Sequence, residues 1–128
     1  MTDRDLINQA IQASRNAYAP YSGLSTGAAL ECADGTVYTG AGVENAALGC
    51  TVCAETAAVS AAVSAGRRRF VRLAVFADRP EYYVPCGHCR QLMAEFSPSM
   101  EVLCANNEGR YVSYPLKTLL PMPFSGNL

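Results

Sequence analysis

Cys53-Ala54-Glu55 and, after a gap of 32 residues from Cys53, Cys86 within Pro85-Cys86-Gly87-His88-Cys89 divide three potential thiolate ligands and one carboxylate between two short clusters. No other feature constrains the fold as strongly. The clusters can serve one metal ion only if the segments carrying them meet in space, and each falls at a predicted helix start. Cys53 opens one helix; Cys86 and Cys89 span the first turn of another. Unpaired amides and the positive end of the helix dipole there favour thiolate over thiol. Two cysteines three apart on one turn can face the same ion. Three protein ligands leave the fourth tetrahedral position of a zinc ion open to water, and Glu55, too near Cys53 to be another ligand easily, is free to move protons. The clusters point to hydrolytic chemistry at a site where two helix N-termini converge beside a sheet edge.

The rest of the chain supplies that sheet. Apolar residues at Leu6, Ile7, Ala10, Ile11, Ala13, Ala17 and Tyr18 predict a helix over 5–19, capped by Thr2 or Asp3 and ended by Pro20. Two antiparallel strands over 26–32 and 36–40 flank the Asp34-Gly35 turn signal. A second helix over 51–65, closed by Gly66, is apolar nearly all round and rich in alanine, so a sheet is expected on one face and another subunit on the other. A central strand over 70–77, a polar loop over 78–84, a helix over 87–96 and strands over 102–105 and 111–113 follow. Strands alternating with helices after an initial hairpin imply an α/β protein, a three-layer α/β/α sandwich with a mixed five-stranded sheet. At 128 residues, positions 1–128 are expected to form a single domain.

Composition narrows the partners. A net charge of -1 argues against nucleic-acid binding driven by bulk charge, and the one basic run, Arg67-Arg68-Arg69, reads as a solvated helix end. No apolar run approaches the ~18 residues of a membrane span and no export signal is seen at the N-terminus, so a cytoplasmic protein with reduced cysteines is expected. Cys32 and Cys104 lie in strand-like segments and read as small buried hydrophobes.

Cys-Ala-Glu followed by Pro-Cys-Gly-x-Cys-Arg-Gln on a later helix resembles the zinc-dependent cytidine deaminase family in its all-cysteine form. Tyr18-Ala19-Pro20-Tyr21-Ser22, Gly27-Ala28-Ala29-Leu30, Glu44-Asn45-Ala46 and Leu119-Leu120-Pro121 through Phe124 extend the likeness over almost the whole chain, in the order and spacing of the small homotetrameric branch. The resemblance implies Zn²⁺ on Cys53, Cys86 and Cys89, with Glu55 as the catalytic proton carrier. It implies a cytosine nucleoside bound near Leu24, Gly42, Glu44 and Ala54. It also implies a Phe124 ring that reaches a neighbouring subunit's base pocket in a homotetramer, or at least a homodimer. The implied reaction converts cytidine or 2'-deoxycytidine to its uridine with release of ammonia.

Several positions depart from the family's usual residues. Thr56 stands where most relatives have an Arg that hydrogen-bonds the thiolates. Three thiolates more than neutralise Zn²⁺, so some other donor must draw charge from the sulfurs; helix amides, His88 and Arg90 are the candidates. Leu24, Gly42 and Leu48 replace Phe, Asn and Tyr around the sugar, leaving a roomier, more apolar pocket. A deaminase of a modified cytosine nucleoside, of the blasticidin-S type, is the alternative reading. A rival from another class uses Cys50-Thr51-Val52-Cys53 as a second C-x-x-C, giving a closed four-cysteine structural zinc site. Against it, the 32-residue gap exceeds the roughly 15 to 20 of a zinc ribbon and Glu55 is left without a role.

Overall fold

A computed structural model describes residues 1–126. Five strands, β1 (Thr26–Cys32), β2 (Val37–Ala41), β3 (Phe70–Ala77), β4 (Glu101–Ala105) and β5 (Tyr111–Pro115), form one sheet in the order β2-β1-β3-β4-β5. All neighbours pair antiparallel except β3 and β4, which are parallel. The sheet is therefore mixed, as the sequence predicts. Helices α1 (Asp3–Ser14), α2 (Ala54–Ser64), α3 (Gly87–Phe96) and the single turn α4 (Leu116–Leu119) complete the fold, with a 3₁₀ turn at Leu48–Cys50.

Strand alternation sorts the core into two layers. Ala28, Leu30, Leu73, Val75, Val102 and Cys104 face one side and pack with Ala54, Ala58, Val59 and Ala62 of α2 and Cys89 and Met93 of α3. Ala29, Ala74, Phe76, Leu103 and Ala105 face the other and receive Leu6, Ile7 and Ala10 of α1. Central strands covered on both faces read as continuous apolar runs, which is why 70–77 stands out in the sequence. Cys32 and Cys104 lie inside this core, and burial pushes the Cys104 thiol up to about 12.

Two glycines set the helix–sheet spacing. A Cβ on Gly27 would lie 2.1 Å from the Ala10 carbonyl oxygen of α1, and one on Gly40 would lie 2.4 Å from the Ala54 carbonyl oxygen of α2. Backbone approaches that close admit no side chain. The start of α2, with Cys53 and Glu55, is thereby seated directly on β2.

Element ends differ from the sequence reading where tertiary pairing competes with helical propensity. The first helix stops at Ser14 rather than Ala19, because Tyr18 is drawn into a bridge with Val43: its N–H donates to the Gly42 carbonyl at 2.9 Å and its carbonyl accepts from Glu44 N–H at 2.8 Å. Thr2 is the N-cap, closing a capping box with Asp5. The second helix begins at Ala54 rather than Thr51, because Val52 exchanges both main-chain hydrogen bonds with Val43, at 2.9 and 2.8 Å. It ends in a Schellman motif at Gly66 (φ 89°), with Arg67 N–H on Ala62 O and Gly66 N–H on Val63 O. Arg68 adds a guanidinium bond to Val63 O at 2.9 Å and Arg67 pairs with Asp34 at 2.8 Å, so the basic run does finish a helix. The α4 turn has no counterpart in the sequence reading.

Candidate metal centre and substrate cavity

The parallel β3–α3–β4 crossover fixes where chemistry can occur. Ligands of open α/β sheets gather beyond the carboxyl ends of parallel strands, and the loop from the end of β3 leads to Cys86, the N-cap of α3. Cys53 is the N-cap of α2. Neither cysteine caps its helix through its side chain, so both sulfurs stay available at the positive helix ends.

The Sγ atoms of Cys53, Cys86 and Cys89 all lie within 4.8 Å of one another, the only such cluster of potential metal ligands among the described residues. Cys86 Sγ and Cys89 Sγ are 3.7 Å apart. Two ligands on a tetrahedral zinc at Zn–S of about 2.3 Å are separated by about 3.8 Å, so the donor set fits zinc in both chemistry and spacing. The sulfurs share protons unevenly. A hydrogen bond with Cys89 holds the Cys53 thiol down to about 6, and the same interaction with burial pushes Cys89 well up. A metal ion resolves such a cluster by displacing its protons.

Glu55 is 0% exposed and neither of its carboxylate oxygens has a hydrogen-bond partner. Desolvation pushes its pKa up to about 7. An orphaned buried carboxylate is costly to the fold, and one poised near neutrality suits a group that both takes and gives protons.

Thr56 Oγ1 lies 3.7 Å from Cys89 Sγ, a contact in which either atom can donate, so the residue at the position of the usual Arg reaches one of the sulfurs. His88 is solvent-exposed in the first turn of α3, and its charge adds to the lowering of the Cys53 thiol. Arg90 is occupied elsewhere: Nε donates to Pro85 O at 2.7 Å and an NH group to Leu119 O at 2.8 Å. Its guanidinium ties the entry of α3 to the C-terminal segment, so the expectation that it supplies a cation to the sulfurs gives way to a scaffolding role. Cys50 is exposed on the 3₁₀ turn, outside the sulfur cluster, and the closed four-cysteine site is not assembled.

A cavity of about 260 Å³ opens beside Cys53, and Leu24, Gly42 and Glu44 all line it. The Val43–Val52 pairing brings the Glu44 loop to the metal cluster. Glu44 Oε1 accepts from the Tyr21 and Ser22 N–H groups, each at 3.0 Å, and Oε2 accepts the Ser22 hydroxyl. These bonds, the hydroxyl first, hold the Glu44 carboxyl below its usual range. Ala54 is fully buried immediately behind Cys53. Leu48, 78% exposed, lines a neighbouring cavity with Tyr21, Ser22, Glu44 and Thr51.

Phe124 lies apart from this cavity. It lines a separate hollow against α3 with Gln91, Ala94 and Glu95, and it is 77% exposed. Gln91 grips its main chain twice, donating to Phe124 O at 3.1 Å and accepting from Phe124 N–H at 2.9 Å. Sequence reasoning missed Tyr83, Ser22 and Thr26 as cavity residues. Tyr83 lies in a loop with no periodicity, and burial raises its phenol, helped by the negative groups of the cluster; its only sequence signal is an aromatic residue two positions before Pro85.

The family model for the cytidine and deoxycytidylate deaminase zinc-binding region matches residues 1–105. The chain belongs to this family. It is 46% identical to a cytidine deaminase of Halalkalibacterium halodurans, over 94% of this chain and 92% of that protein. The crystal structure of a Burkholderia pseudomallei cytidine deaminase superposes with a TM-score of 0.93 at 42% identity, covering 97% of this chain and all of the other. A Mycobacterium tuberculosis cytidine deaminase gives 0.83 at 38%, covering 98% and 99%. A blasticidin-S deaminase of Bacillus cereus is also similar, but at 29% identity over 79% of this chain and 77% of that protein. The balance of likeness lies with the cytidine deaminases.

Proposed function

We propose that positions 1–128 act as a single cytidine deaminase domain that hydrolyses the C4 amino group of cytidine and 2'-deoxycytidine, giving the corresponding uridine and ammonia. The observation that carries this reading is Glu55, buried and without a partner, two residues from Cys53, which joins the cluster of three sulfurs and also lines a nucleoside-sized cavity. Zinc, when bound by Cys53, Cys86 and Cys89, supplies a Lewis acid that lowers the pKa of water from 15.7 toward about 7.

Glu55 does the proton work. It takes a proton from the attacking water and passes it to the pyrimidine N3, which makes C4 electrophilic. After oxygen has added to C4, Glu55 delivers the second water proton to the amino nitrogen, the C4–N bond breaks, and ammonia leaves. A carboxyl whose pKa sits near 7 is matched to both directions of transfer. Glu44, held rigid by Tyr21 and Ser22, accepts from a sugar hydroxyl. Thr56 donates toward Cys89 and moderates the charge of the sulfurs.

The exposed Phe124, clamped by Gln91 away from its own chain's cavity, is available to a neighbouring copy. The outward side of α2 carries only Ser60, Ala61 and Ser64, which lets another backbone approach closely. These features support a homotetramer, built from at least a homodimer. The fall in absorbance as cytidine becomes uridine, together with ammonia release, tests the activity. Glu55→Ala should keep zinc and fold while abolishing turnover; sustained turnover would defeat the assignment.

A further inference from the structure

We propose that the Thr26 hydroxyl is a sugar-contacting, specificity-determining group of this enzyme, standing where a side chain from position 42 would otherwise enter the cavity; this rests on the cytidine deaminase reading. β1 and β2 pair antiparallel with Gly27 opposite Ala41, and the Gly42 N–H bond to the Thr26 carbonyl at 3.1 Å carries that pairing one residue further. A Cβ on Gly42 would lie 2.2 Å from Thr26 Oγ1. The hydroxyl therefore fills the space of a residue-42 side chain. Side chains alternate along an extended backbone, so positions 42 and 44 share a side. Thr26, Gly42 and Glu44 accordingly line one cavity with Cys53.

The hydrogen bonds that organise this wall run through Glu44, Ser22 and the main chain, and the Thr26 hydroxyl stands outside that set. Glu44 is an acceptor whose Oε1 is already used twice, which leaves Oε2 room for one hydroxyl beyond that of Ser22. A sugar bearing two hydroxyls needs a second partner, and a threonine hydroxyl can donate or accept. Thr26 meets that need at the place where Gly42 contributes no side chain. The ligand class this pair selects is a cytosine nucleoside with hydroxyls at both 2' and 3', over one that lacks them.

The test measures kcat/KM for cytidine, 2'-deoxycytidine and 2',3'-dideoxycytidine in the zinc-loaded wild type, Thr26→Val and Thr26→Ser. One neutral hydrogen bond commands about 2- to 10-fold. T26V should lose that factor in its preference for cytidine over the dideoxynucleoside, and T26S should restore it. A preference unchanged in T26V overturns the proposal, as does a loss that T26S fails to recover, since that would make the residue a mere shaper of the cavity. If T26V does not fold, Thr26→Ala carries the same contrast. A wild type inactive on every cytosine nucleoside would instead overturn the deaminase reading itself, so the two failures are distinct.

Discussion

Two glycine-to-alanine substitutions of equal size, placed on opposite faces of the sheet, separate stability from catalysis. In Gly27→Ala the new methyl would meet Ala10 O at 2.1 Å and Ser14 N at 2.5 Å. Both are main-chain atoms of α1, so no side-chain rotation relieves the clash, and α1 must lift by about 1 Å to reach van der Waals separation. Overpacking of this kind costs about 1 to 3 kcal/mol, and the immovable backbone places G27A near the upper end. In Gly40→Ala the methyl would meet Ala54 O at 2.4 Å, Ala58 N at 2.6 Å and the Ala57 methyl at 2.7 Å. A similar loss of stability is expected, but here the displaced turn carries Cys53 and Glu55. A misplacement of about 1 Å near reacting groups can cost on the order of 10²-fold in rate. Urea unfolding, zinc content and kcat on cytidine, the last two measured per folded chain, give the comparison. G27A should keep zinc and kcat within about twofold, whereas G40A should lose at least about tenfold in kcat. Equal kcat in the two folded variants would refute the claim that β2 seats the catalytic end of α2.

Cys50→Ser should retain zinc as fully as the wild type while Cys86→Ser loses it, measured by metal analysis after dialysis; zinc loss in C50S would revive the four-cysteine site. Thr56→Val removes the donor beside Cys89, leaves more charge on the sulfurs, and should move the acid limb of the kcat/KM–pH profile upward; an unmoved profile would show that Thr56 does not serve the cluster. Thr2→Ala breaks the capping box and should cost about 1 kcal/mol at neutral pH. The bonds from Thr2 hold the Asp5 carboxyl below its ordinary range, so their stabilisation is present above the unfolded value and lost as pH falls through the lower folded value. The penalty of T2A should therefore shrink in urea titrations below pH about 4, and a constant penalty would contradict the Thr2–Asp5 coupling.

Much of the site was legible because its determinants are local. A cysteine at a helix start is recognisable from its neighbours: Pro85 and Gly87 frame Cys86, and a run of alanines follows Cys53. Cys-x-x-Cys spacing on one turn follows from helix geometry alone. The hairpin, the buried central strand and the Gly66 helix stop were readable for the same reason. What escaped depends on partners distant in sequence. Tyr18 continues the apolar rhythm of α1 yet leaves the helix to pair with Val43, and Val52 leaves α2 to pair with Val43 from the other side. Arg90 has the charge to serve the sulfurs but is spent on two main-chain carbonyls, one of them 29 residues away.

By itself, then, the sequence determined the reaction: the ligand types, their spacing, and a carboxylate adjacent to them specify a metal site with a proton carrier. Only the tertiary structure decided which side chains share that site's cavity. Packing against the sheet buries Glu55 beyond the reach of any partner and raises its pKa. Strand register sets the Thr26 hydroxyl in the space beside Gly42. The Gln91 clamp holds Phe124 outside its own chain's cavity. Burial and register depend on backbone pairings across long stretches of chain, and no local run of residues encodes where such pairings close.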